Sequence, residues 1–221
     1  MNESKPTAKM DIVSLGMSCQ SAHQLARFAV ENPEIVTFKK GPFDWLICPA
    51  DSSISLLDSK LDAPQLTELE IRRNHVFWPR HDLWFWHGYM KRKGDLRELA
   101  LEETFEREAA KFANQRAQFL ALDPTRTLFI ISNTQNNLIG DVFDSNEIDR
   151  VTFDANRLLS LKASLTNLFR SPINLAAVSR KDRFTGDFPD GIDVQLLSSD
   201  DSEWKGDDAQ WNAALREIIN T

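Results

Sequence analysis

The sequence predicts a three-layer α/β fold, a mainly parallel open sheet with helices on both faces. Short apolar runs that read as strands alternate with amphipathic stretches at helical spacing, which is the pattern of βαβ units. The most apolar run, Thr127 to Ile131, is β-branched and aromatic throughout, as expected of a strand covered on both faces. The length of 221 residues, with no internal repeat and no long linker, fits a single α/β domain over 11–221 behind a polar segment, 1–10, read as disordered.

Taken in order, Asp11 to Leu15 is a strand that ends at Gly16. The helix expected from Ser18 to Val30 follows, with Ala22, Leu25, Ala26 and Ala29 on one face and Ser18 as its N-cap. Glu34 to Phe38 is a second strand, closed by Gly41-Pro42. Phe43 to Ile47 then runs toward a helix over Ser52–Leu61, capped by Asp51 or Ser52. Asn74 to Tyr89 is rich in aromatic residues and holds three of the four histidines; it reads as extended segments broken at Pro79.

Leu96 to Leu122 has helical spacing, with Leu101, Phe105, Phe112 and Phe119 on one side, and stops at Asp123-Pro124. After the strand at Thr127, a helix over Asp154–Phe169, strands over Asn174–Val178 and Ile192–Leu196, and a helix over Asp208–Ile219 complete the alternation.

Composition removes several classes of function. A formal net charge of −7 disfavours nucleic acid as a partner, since phosphate binding needs clustered Lys and Arg. No apolar run approaches the ~18 residues of a membrane span, and the polar start lacks a signal peptide's apolar segment, so a cytoplasmic protein is expected. Cys19 and Cys48 form no CxxC pair and read as free thiols. The acidic stretch Ser199–Glu203 with Asp207 and Asp208 lacks the spacing of an oxygen-ligated ion and reads as a solvated face. No metal and no organic cofactor is expected.

In open α/β sheets the ligand crevice lies outside the carboxyl ends of the strands, which directs attention to Gly16–Cys19 and to Ser132–Asn137. Cys19 falls in the first turn of its helix, where free N–H groups and the helix dipole favour a thiolate. The commoner role of a lone thiol is that of a small packing group, the role assigned to Cys48. His23 lies four residues after Cys19 on the same helix, and His81, between Arg80 and Asp82, reads as a residue of an exposed turn. A phosphate loop or a serine nucleophile elbow has little support, because neither GxxxxGK[ST], GxGxxG nor GxSxG is present.

The run Ile12-Val-Ser-Leu-Gly-Met-Ser-Cys19-Gln-Ser-Ala22-His-Gln-Leu25, followed by Gly41-Pro-Phe-Asp-Trp-Leu46, resembles a bacterial family of unknown function catalogued as papain-like cysteine peptidases. The resemblance is specific over Asp11–Leu46 and thin beyond about Ile131. It implies a cysteine nucleophile at Cys19 and a histidine partner at His87 in Trp86-His87-Gly88, although Gly88 and Tyr89 depart from the family's Asp-Phe. Asn133 or Asp44 would orient the imidazole.

The Gly16 and Ser18 turn, with Trp45 and Trp86, would contact a peptide or small-molecule substrate. The resemblance also implies a papain-like α+β alternative to the parallel sheet. For the Phe43-Asp44-Trp45 box a structural role competes, with aromatic rings plugging the core and the carboxylate capping the next helix. A second functional class, a non-catalytic small-molecule or carbohydrate-binding domain, would line the crevice with Trp78, Trp84, Trp86 and Tyr89.

Overall fold

The computed structural model describes residues 9–94, 96–199 and 204–220. Strand β1 (Met10–Ser14) turns through Gly16 into helix α1 (Cys19–Glu31), and β2 (Val36–Phe38) follows. A two-residue β3 (Leu46–Ile47) precedes α2 (Ala50–Asp58). Three short strands, β4 (Glu70–Arg72), β5 (His75–Trp78) and β6 (Leu83–Phe85), form a meander, and β7 (Met90–Lys93) and β8 (Leu96–Leu99) form a hairpin. Helix α3 (Leu101–Leu120), β9 (Thr127–Ser132), α4 (Ala155–Phe169), β10 (Asn174–Arg180), β11 (Asp193–Leu197) and α5 (Asp208–Asn220) follow.

Five of these strands make the central sheet, in the order β11-β10-β9-β1-β2, and every pairing in it is parallel. The chain starts in the middle, steps outward to β2, then returns to the other side of β1 with β9. The order therefore reverses between β1 and β9, where Ile12 pairs with Leu128 and Val13 with Phe129. At such a switch point the loops leaving two neighbouring strands diverge to opposite faces and open a crevice.

Strand periodicity sorts the core into two layers. Val13, Leu15, Phe129, Ile131, Leu175 and Ala177 face one side of the sheet, into a cluster with residues of α2, α3, α4 and the meander. Their alternates Ile12, Leu128, Ile130, Ala176 and Val178 face the other, against Leu25 and Phe28 of α1 and Trp211, Leu215 and Ile218 of α5. The three-layer α/β architecture is thus present with the sheet direction expected. The papain-like α+β alternative does not describe the central sheet, since antiparallel pairing is confined to the β3-β6-β5-β4 sheet and the β7–β8 hairpin.

Three local expectations change. Residues 96–99 are strand, not the first turn of a helix: Lys93 pairs with Leu96 across a turn in which Gly94 takes φ +64°, and α3 begins only after Ala100. Helix α2 starts at Ala50, ahead of the expected capping residues, and stops at Asp58 because Lys60 and Leu61 take left-handed conformations. Ser18 is the N-cap of α1, as expected, but its hydroxyl makes no capping hydrogen bond. Of the segment 1–10, the first eight residues lie outside the described ones and Met10 opens β1; most of the acidic Ser199–Glu203 stretch also lies outside them. Among the described residues, no helix is long and apolar enough to cross a membrane.

Candidate functional site

The turn that carries Cys19 is held by the segment after β2. The backbone of Leu15 continues the ladder, donating to the Ile130 carbonyl at 2.8 Å. Gly16 then takes φ +87°, and a Cβ there would fall 3.3 Å from the Cys48 Cβ, so this position needs glycine for both conformation and space. Met17, fully buried, is also left-handed at φ +71°. It is locked by reciprocal backbone hydrogen bonds with Cys48 of 3.0 and 3.2 Å, and Ser53 Oγ donates to the Leu15 carbonyl at 2.9 Å. A left-handed residue other than glycine costs about 1–2 kcal/mol, and such strain concentrates where geometry serves a site.

This clamp brings the Pro-Phe-Asp-Trp box against the turn. Phe43 is in the core, and Asp44 is buried with Oδ2 accepting from the Gly41 N–H at 3.0 Å. The carboxylate therefore closes its own turn instead of capping α2. Its Oδ1 has no partner among the described residues. Burial pushes the Asp44 carboxyl up to about 7, against partial relief from the Gly41 hydrogen bond and the charges of Lys40 and Lys111.

Cys19 occupies the first position of α1, as expected, but its thiol is buried and pushed up to about 12. Loss of hydration outweighs the lowering effect of its own backbone N–H, and the negative charge of Asp44 adds to the rise. The expectation of a resting thiolate is corrected: at neutral pH this sulfur is protonated. Ser18 Oγ, beside it, is also buried without a partner among the described residues. Cys48 is a free, buried thiol packed near Ser53 Oγ at 3.3 Å, as its assignment to the core required.

Across the switch point the end of β9 is polar and tightly bonded. Asn133 spends both amide protons on backbone carbonyls, Val151 at 2.8 Å and Arg183 at 2.9 Å, and its Oδ1 accepts from the Arg180 N–H at 3.0 Å. It fastens the loops after β9 and β10 and has no donor left for an imidazole. Arg183, buried, donates to the carbonyls of Asn133 and Gln135 at 2.7 and 2.6 Å. Thr134 Oγ1 donates to Gln20 Oε1, and Gln20 Nε2 donates to the Trp204 carbonyl at 2.7 Å. Gln24 Nε2 adds a bond to the Lys205 carbonyl at 2.8 Å, and the rings of His23 and Trp204 lie 5.4 Å apart. Trp204–Gly206 thereby covers the N-terminal part of α1.

His87 lies elsewhere. It is exposed on the loop after β6, its ring edge-on to the half-exposed Trp45 at 5.8 Å. Although the residue as a whole is exposed, partial loss of hydration at its ring, then the positive charges of Arg97, His75 and Lys111, lower its pKa. No hydrogen bond joins it to Cys19, Asn133 or Asp44 among the described residues. Trp86 stacks on His75 at 3.7 Å, while Trp78, Trp84 and Tyr89 are buried in the core and line no crevice. His81 is also buried, contrary to the exposed turn expected for it.

The β1–α1 turn thus holds Gly16, Ser18 and Cys19, with Phe43 packed against Gly16 and the Asp44 charge acting on the thiol, and leaves His87, Trp86 and the amide of Asn133 in other roles. The polar residues not singled out from the sequence are Gln20, Thr134 and Arg183. Gln20 and Gln24, four apart on α1 and in one stripe with Arg27 and Glu31, were the available signal. No protein-family model, no curated protein and no solved structure matches the chain.

Proposed function

We propose that the chain is a cysteine-dependent acyl-transfer enzyme, a hydrolase acting on a peptide or small-molecule acyl compound, with Cys19 as nucleophile and Asp44 as its proton acceptor. The carrying observation is the Asp44 carboxyl, buried with Oδ1 unpartnered among the described residues, near enough for its charge to raise the Cys19 thiol, and with its own pKa raised to about 7. A nucleophile that rests protonated needs its proton removed as it attacks, and a base with pKa near the working pH does this best. The pair follows the logic of a base-assisted alcohol more than that of a thiolate–imidazolium ion pair. The Cys19 sulfur bonds to the acyl carbon, its proton passes to Asp44, and the leaving group recovers that proton; water then releases the acyl group. The N–H groups of the first turn of α1, which Ser18 does not cap, suit the developing oxyanion. Two free thiols fit a reducing compartment such as the cytoplasm.

The test is acylation of Cys19 by an activated thioester, followed by mass spectrometry. The rate is expected to rise through pH ~7 with the Asp44 carboxyl, to fall about 100-fold in Asp44→Asn, and to be unchanged in His87→Ala. Loss in His87→Ala with retention in Asp44→Asn would restore a Cys–His pair. A second reading, a small-molecule-binding domain in which Cys19 only packs, is favoured by the burial of the thiol and by the cover of Trp204–Gly206; it predicts no acylation of the folded protein at any pH.

A further inference from the structure

A second group of polar side chains lies away from this crevice, where the end of α2 meets the turn between β5 and β6. His81, buried in that turn, has Nδ1 2.8 Å from Ser55 Oγ and Nε2 3.0 Å from Asp62 Oδ1. Its ring is fixed by an edge-on contact with Trp78, centroids 4.4 Å apart. The proton arrangement follows from chemistry. An ionised carboxylate only accepts, so Nε2 of the neutral imidazole carries the hydrogen toward Asp62. Nδ1 is then bare and must accept from the Ser55 hydroxyl.

Asp62 is itself held, accepting from Ser59 Oγ at 2.6 Å on Oδ1 and paired with Arg80 at 2.7 Å through Oδ2. Ser55 remains half-buried, within reach of solvent. Burial of the ring lowers the His81 pKa against the opposing effect of Asp62; Arg80 also lowers it, and Glu68 raises it. The imidazole is therefore neutral, the form that accepts a proton, at physiological pH.

We infer that Ser55, His81 and Asp62 form a second nucleophilic site, with Ser55 activated toward small acyl and phosphonyl electrophiles. As Ser55 Oγ bonds to the electrophilic carbon or phosphorus, its proton passes to His81 Nδ1, and the imidazolium is stabilised through Nε2–H by Asp62. His81 then returns the proton to the departing alcohol or fluoride. Ser55 lies inside α2, where its own N–H is used in the helix, so its turn adds no oxyanion donor and covalent modification, more than fast turnover, is the expected behaviour. A purely structural reading makes the same hydrogen bonds a staple between α2 and the β5–β6 turn.

The two readings separate by labelling the whole chain with a small alkyl fluorophosphonate, in which the P–F bond breaks as Oγ–P forms. Peptide mass spectrometry is expected to find the label on Ser55, with Ser52, Ser53 and Ser59 as internal controls. Its rate should fall as pH drops through a midpoint below the ordinary histidine value of about 6.5 and stay flat to pH 8. His81→Ala should slow it about 100-fold. The profile of the unsubstituted protein carries the test if that variant fails to fold. Absence of label at Ser55, a rate that climbs tenfold per pH unit to pH 8, or an unchanged rate in folded His81→Ala would each overturn the inference.

Discussion

Two residues expected to share one catalytic task have opposite environments, and substitution should separate them. Asn133 is fully buried and bonded to three backbone groups on two segments, Val151 and the Arg180–Arg183 stretch. Asn133→Ala removes the side-chain donor to the Val151 carbonyl and the acceptor of the Arg180 N–H, while the Arg183 carbonyl keeps the Phe153 N–H at 2.8 Å, and should lower unfolding free energy by about 3 kcal/mol. His87 is exposed and touches Trp45 only by its ring edge, so His87→Ala should change stability by no more than about 0.5 kcal/mol. Urea unfolding of the two variants checks both figures. A small effect at Asn133 would mean that the loops after β9 and β10 are held by the Arg183 side chain and the Phe153 backbone pairing. Cys19 teaches a related lesson about reading single residues. Its position at a helix start was visible in the sequence, but its protonation state depends on its burial in the fold, which position alone does not reveal.

At the scale of elements, what could be read from the sequence was what local pattern encodes. The run at Thr127–Ile131 is a strand because every residue in it faces apolar cover, and α4 and α5 show their apolar faces at helical spacing. Where two local signals competed, the longer one misled. Leu96 and Leu99 continue the spacing of α3, yet Gly94-Asp95 is a hairpin signal, and pairing of β8 with β7 overrides the helical pattern. The site was legible in the same partial way. The β1–α1 turn and the end of β9 followed from fold class, whereas the seating of the Phe43-Asp44-Trp45 box against that turn goes with the Met17–Cys48 clamp, a contact between segments that no spacing encodes.

Helix α3 supplies the test at this scale. Its Phe119 meets the rings of Phe43, Phe129 and Phe169 at centroid distances of 5.7, 5.8 and 5.7 Å, joining the box that bears Asp44 to the central sheet. Phe119→Ala should cost about 3–5 kcal/mol, against about zero for Val30→Ala on the exposed end of α1. Equal midpoints in denaturant would show that α3 does not anchor the box.

For the whole molecule, groups that lose hydration on folding give stability two opposing dependences on pH. Asp44 is raised from 3.8 to about 7 on folding, so between these values the folded state holds a proton that the unfolded chain has released. Its contribution to stability is complete below pH ~3.8 and is lost as pH rises toward and through ~7. His23, His75, His81 and His87 are all lowered from 6.5, so the unfolded chain takes up their protons first and stability falls as pH drops below ~6.5. A single stability curve between pH 5 and 8 mixes the two effects, whereas the difference between the unsubstituted protein and Asp44→Asn isolates the carboxyl, because the histidines cancel. That difference should shift by about 3 kcal/mol in favour of the variant from pH 5 to pH 8, since an amide cannot ionise and the native carboxylate must. If chemical denaturation at the two pH values gives the same difference, Asp44 ionises as freely in the fold as in the unfolded chain. Without a carboxyl held near neutrality, the base-assisted mechanism at Cys19 would lose its proton acceptor.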